Sequence, residues 1–105
     1  MTDKLLVLTT TSSEPEARKI AEMLIERRLA ACVNIIPRIQ SLYRWQGKVE
    51  NAEEFLLIAK TSHGKEQEVH AAIREMHSYQ LPECISIAVE GGSAAYLQWI
   101  SESLL

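Results

Sequence analysis

The chain has 105 residues, which gives room for one domain and not for two. Hydrophobic residues make up 47% and charged residues 24%, an ordinary globular balance that excludes a disordered chain. The net charge is −3, the lysines and arginines are scattered, and no run of about 18 apolar residues occurs, so neither nucleic-acid binding nor a membrane span is expected.

The segment Met1-Thr2-Asp3-Lys4 leads straight into a strand-like run, without a basic region and cleavage site, so no signal peptide is expected and the default compartment is the cytoplasm. Lys4 to Thr11 is apolar on both faces and reads as a buried strand. Ser13-Glu14-Pro15-Glu16 has the pattern of a capping box. Ala17, Ile20, Ala21, Leu24 and Ile25 then recur at helical spacing, which predicts an amphipathic helix ending near Arg28. Ala31 to Trp45 and Val49 to Thr61 read as two arms of one long hairpin turning at Gln46-Gly47-Lys48. Pro37 cannot donate to a ladder and predicts a bulge or an edge position. Thr61 or Ser62 can cap a second helix from Lys65 to His77, with Val69, Ala72, Ile73 and Met76 as its core stripe. After a loop ended by Pro82, Glu83 to Val89 reads as a fourth strand. Gly91-Gly92 turns the chain, and Ser93 can cap a last helix carrying Ala94, Leu97, Ile100 and, at its far limit, Leu104.

The order βαββαβα makes this an α+β chain, a ferredoxin-like βαββαβ arrangement with an extra C-terminal helix, spanning residues 1–105 as a single domain. In that layout both main helices cover one sheet face. The other face should be polar in a monomer. Here the first and third strands are apolar on both faces, and Ile85, Ile87 and Val89 line one face of the fourth. The short last helix is too small to cover all of this, so a neighbouring subunit is expected. The hairpin argues the same way. Arms of about 14 residues reach ~45 Å, beyond a domain whose radius of gyration is ~13 Å. Tyr43 and Trp45 near its tip need a partner to be buried.

Catalytic signatures are absent: there is no GxSxG, P-loop or HExxH, and an enzyme is not expected. Thr9-Thr10-Thr11-Ser12-Ser13 lacks the glycine and arginine of an acylphosphatase phosphate cradle, and Gly91-Gly92-Ser93 reads as a plain turn. His63, His70 and His77 are spaced by seven, which places them on a similar side of the second helix near solvent. Neighbours in that series lie about 10.5 Å apart along a helix, too far to share a metal. They read as surface histidines, with a subunit-interface metal site using His77 as the alternative. Cys32 and Cys84 read as buried thiols. They fall on opposite sheet edges ~14 Å apart, too far for a disulfide or a shared metal within one subunit. Tyr43, Trp45, Lys60, Tyr79, Glu83 and Trp99 combine aromatic walls with one acid and one base. They read as interface packing with a salt bridge, or as a small polar ligand pocket at a subunit boundary.

Leu29 to Pro37 and Ser41 to Lys48 resemble the CutA family of divalent-cation tolerance proteins. Glu54 to Thr61, His77 to Glu83 and Tyr96 to Ile100 agree in order, so the resemblance covers nearly the whole chain. It implies a PII-like homotrimer whose long hairpin reaches neighbouring subunits, and a role in tolerance of copper and other divalent metals. Two departures matter. The family often has proline where this chain has Ser78. Copper ligands assigned in some bacterial relatives, a cysteine and a histidine pair, fall on Thr9 and on Met76-His77. Of these only His77 survives. The expected function is therefore weak binding of copper or another divalent cation at subunit boundaries, with His77 and Glu83 as metal residues. The alternative is a PII-like signalling module for a small organic anion.

Overall fold

The computed structural model describes residues 2–105; Met1, part of the leading segment read above, lies outside the described residues. The elements are β1 (Lys4–Thr11), α1 (Glu14–Glu26), β2 (Cys32–Trp45), β3 (Lys48–Ser62), a 3-10 turn (His63–Lys65), α2 (Glu66–Met76), β4 (Ile85–Ala88) and α3 (Ala94–Ser103). They form one antiparallel sheet in the order β2-β3-β1-β4, as a ferredoxin-like chain requires.

Ser13 caps α1 by accepting from the Glu16 N–H. The other half of the expected capping box is not made: the Glu16 carboxylate turns to Ser78. Ala17, Ile20, Ala21 and Leu24 enter the core with Val69, Ala72 and Ile73 of α2, against Val7, Leu57 and Ala59 of the sheet. Ile25, expected in the stripe, is exposed at the helix end. Neither Thr61 nor Ser62 caps the second helix. Thr61 is fully buried and donates to the Leu29 carbonyl at 2.6 Å, and Ser62 makes no side-chain cap bond to the 3-10 turn. The fourth strand is shorter than expected at both ends.

The hairpin is as long as expected, with arms of 14 and 15 residues, and gives the molecule extents of 44 × 25 × 22 Å. Its turn is Gln46-Gly47, both with positive φ (49° and 80°), the geometry that matches the twist of the flanking strands. Pro37 falls where a bulge was expected. The register shifts between Ile36 and Ile39, so Pro37 and Arg38 together oppose Phe55. Arg38 adopts φ 60° to make the step.

Register identifies the helix-free face. Asn34, Ile58, Leu8 and Ile85 lie in one cross-strand row, and Cys32, Lys60, Leu6 and Ile87 in the next. α3 packs against β3 and its Tyr96 hydroxyl meets Lys60. It leaves Ile85 53% and Ile87 47% exposed, and Ile36 exposed as well. A row of aliphatic side chains thus stands half in water.

Candidate functional site

The bulge at Pro37-Arg38 decides which side chains the hairpin presents beside the sheet. Two residues against one reverse the alternation of β2. After it Ile39, Ser41, Tyr43 and Trp45 pair with Glu54, Ala52, Glu50 and Lys48, on the face that carries Leu56 and Ile58. That brings the tip aromatics to the same side as Glu54. The segment from Ser78 to Ile85 returns alongside, and a cleft of about 1030 Å³ lies between loop and hairpin. Tyr43, Trp45, Tyr79 and Glu83 line it, together with Thr10 and Glu54. Lys60 and Trp99 stand apart. The Lys60 ammonium lies 3.2 Å from the Tyr96 hydroxyl and 5.4 Å from that ring's centroid, and Trp99 stacks on Tyr96 at 5.3 Å. Within one chain, the six residues therefore form two groups.

Glu54 lies at the centre of the first group. It is 7% exposed and accepts a hydrogen bond from the Tyr79 hydroxyl at 2.7 Å. Burial holds the Tyr79 proton on, and the Glu54 carboxylate that accepts its hydrogen bond does so further. Burial also raises the Glu83 carboxyl above the ordinary range, and the Glu54 charge pushes the same way. A raised carboxyl binds its proton more tightly in the folded chain than in the unfolded one. Stability contributed by its neutral form is therefore lost as pH rises from the ordinary value of 4.5 through the raised one. Glu83→Gln is expected to raise the thermal midpoint at neutral pH and to leave it unchanged well below pH 4.5. Equal shifts at both values would show that the charge carries no such cost.

His77 holds the loop to the sheet. Its side chain is 0% exposed, not at the solvent boundary. The residue lies beyond the end of α2, at its C-cap, so the helical spacing of seven does not apply to it. Its Nε2–H donates to the Thr10 carbonyl at 2.7 Å, while Nδ1 accepts from the Tyr79 N–H at 3.1 Å. Both nitrogens are thus committed, and in this arrangement neither offers a lone pair to a metal. The ring also stacks on Tyr79, with centroids 4.8 Å apart. Glu16 completes the arrangement by accepting from the Ser78 N–H at 2.7 Å and the Ser78 hydroxyl at 3.0 Å. A proline at this position would supply neither donor. His70 is likewise no plain surface histidine: it bonds the Ser86 hydroxyl at 2.9 Å, tying α2 to β4. Only His63, whose side chain is 76% exposed, fits that description. Thr9 is buried, and its hydroxyl has no partner among the described residues. No cluster of three or more His, Cys, Asp or Glu side chains suited to a metal occurs among the described residues.

Glu54 and Glu16 were not singled out from sequence. The available signal for Glu54 was its place, in period two, on the apolar face of Leu56 and Ile58.

The family model for the CutA1 divalent ion tolerance protein matches residues 5–103. The chain belongs to the CutA1 family. It is 42% identical over 98 residues to the divalent-cation tolerance protein CutA of Thermus thermophilus, covering 93% of this chain and 95% of that one. It is 41% identical to the human protein CutA over 93 residues, covering 89% of this chain and 52% of that one. The crystal structure of CutA from Xylella fastidiosa superposes with a TM-score of 0.96 at 37% identity, covering 98% of this chain and 99% of that one. The CutA1 fold, with its sheet order and three helices, is therefore that of this chain. No helix among the described residues is long and apolar enough to cross a membrane.

Proposed function

We propose that this CutA1-family chain is a non-enzymatic, single-domain subunit of a cytoplasmic homotrimer, and that the assembly binds copper or other divalent cations weakly at its subunit boundaries. The family description names a tolerance of divalent ions and no reaction. The observation that carries the assembly is the half-covered apolar face around Ile58, Leu8, Ile85 and Ile87, continued by a hairpin that outreaches its own core. The two acidic groups of the cleft, Glu54 and Glu83, favour a positive ion there. Among the expected metal residues, Glu83 lies open to the cleft. His77 becomes a ligand only if the turn at residues 77–79 opens and frees Nδ1, a cost consistent with weak affinity. The PII-like alternative, a small organic anion, finds its support at Lys60, whose ammonium is held by the Tyr96 hydroxyl. The acidic cleft repels such a ligand.

Calorimetric titration of the assembled protein with copper and zinc tests the metal reading. Micromolar or weaker binding is expected. Loss of one charged ligand in Glu83→Ala should weaken it by about tenfold or more. Binding that is indifferent to both Glu83→Ala and His77→Ala contradicts the assignment.

A further inference from the structure

Glu16 is drawn away from the bond its position offers. It stands in the first turn of α1, three residues after the Ser13 cap, where a carboxylate can reach back to the cap's own N–H. Here the carboxylate turns outward from its helix. Oε2 accepts from the Ser78 N–H at 2.7 Å and Oε1 from the Ser78 hydroxyl at 3.0 Å, across 62 positions of sequence. Hydrogen bonds to a carboxylate are roughly twice as strong as neutral ones. The Glu16 side chain is also mostly buried, so little water competes for it.

The gripped residue lies where the chain leaves α2. The helix ends at Met76, and His77 takes φ −81° and ψ 141°. That is the extended conformation a following proline imposes through its ring, yet position 78 is serine. A serine imposes nothing on its predecessor, so bonds must hold the turn. Within it, the Tyr79 N–H donates to His77 Nδ1 at 3.1 Å, a neutral pair. From outside it, Glu16 adds two bonds to the residue between them. The placement of His77 against Thr10 and of Tyr79 against Glu54 depends on how this turn is held. A proline ring would fix it permanently, whereas two hydrogen bonds break and re-form.

We propose that the Glu16–Ser78 pair is a latch. It holds the turn at residues 77–79 shut from the α1 side, and its release opens the turn locally, parting Tyr79 from His77 while the core stays folded. The latch uses only this chain's own bonds and is independent of metal binding. Hydrogen exchange of the intact assembled protein, followed at single amides by NMR, tests it. The Tyr79 N–H reads the turn, and the Val7 and Leu57 N–H groups read the sheet. Glu16→Ala leaves the Ser13 cap in place, since that bond uses the backbone N–H of residue 16. It should speed Tyr79 exchange about tenfold or more, after allowance for intrinsic rates, and leave the sheet amides unchanged. Adding Ser78→Pro to Glu16→Ala should restore most of the protection, because the ring imposes the His77 conformation that Glu16 otherwise holds. General destabilisation would instead speed exchange in turn and sheet together, with no rescue by proline. Unchanged Tyr79 exchange in Glu16→Ala would show that other contacts hold the turn, and overturns the inference. So does a rise shared equally by the sheet amides, or a double variant no better protected than Glu16→Ala alone.

Discussion

His77→Ala is expected to destabilise the chain by about 3–4 kcal/mol, far more than any change at the other two histidines. The ring is fully buried, so its removal leaves a cavity. It also removes the partner of the Thr10 carbonyl and of the Tyr79 N–H, both part-buried. The loss should lower the midpoint of thermal unfolding by roughly 10 °C or more. His63→Ala, at an exposed position, should stay within about 0.5 kcal/mol of the parent. The functional consequence follows from the same bonds. Tyr79 packs against the ring at a tilt, donates its N–H to it, and donates its hydroxyl hydrogen bond to Glu54. Loosening it disturbs the cleft wall. A His77→Ala protein that melts with the parent would show that the loop is held by other contacts.

Ile87→Asp is expected to turn the assembly into monomers. Ile87 is half exposed in the single chain, next to Leu6 on the helix-free face, so an aspartate there costs the isolated fold little. In the proposed trimer the same side chain would be covered, and the substitution would place an unpaired carboxylate in an apolar boundary three times over. Each 1.4 kcal/mol lost is about tenfold in the association constant, so a penalty of several kcal/mol removes assembly at ordinary working concentrations. Sedimentation velocity should show one slow species with unchanged far-ultraviolet circular dichroism. Persistence of the parent sedimentation coefficient would remove Ile87 from the boundary.

Much of this architecture was legible because it rests on periodicity. The stripe of Ala17, Ile20, Ala21 and Leu24 and the two-faced apolar pattern of β1 and β3 are local, and Pro37 marks its bulge by chemistry alone. The site was less legible because it is made by contacts far apart in sequence. Glu54 meets Tyr79 across 25 positions and His77 meets Thr10 across 67. Neither distance leaves a spacing signal. His77 misled for a related reason. Its spacing from His70 is helical, but the helix ends at Met76, and the extended backbone at His77 carries the ring inward. Tyr43 and Trp45 were picked out as exposed aromatics needing cover. Their alignment with Glu54 depends on the one-residue reversal at the bulge, which requires knowing the register. Lys60 and Trp99 were grouped with them by residue type, whereas Tyr96 holds both elsewhere.

In the proposed trimer the helix-free face and the hairpin are covered by copies of the same chain. Multi-angle light scattering of the purified protein at micromolar concentration measures this directly. The expected mass is about 36 kDa, three times the 11.9 kDa of one chain; a species of 11.9 kDa would contradict the account.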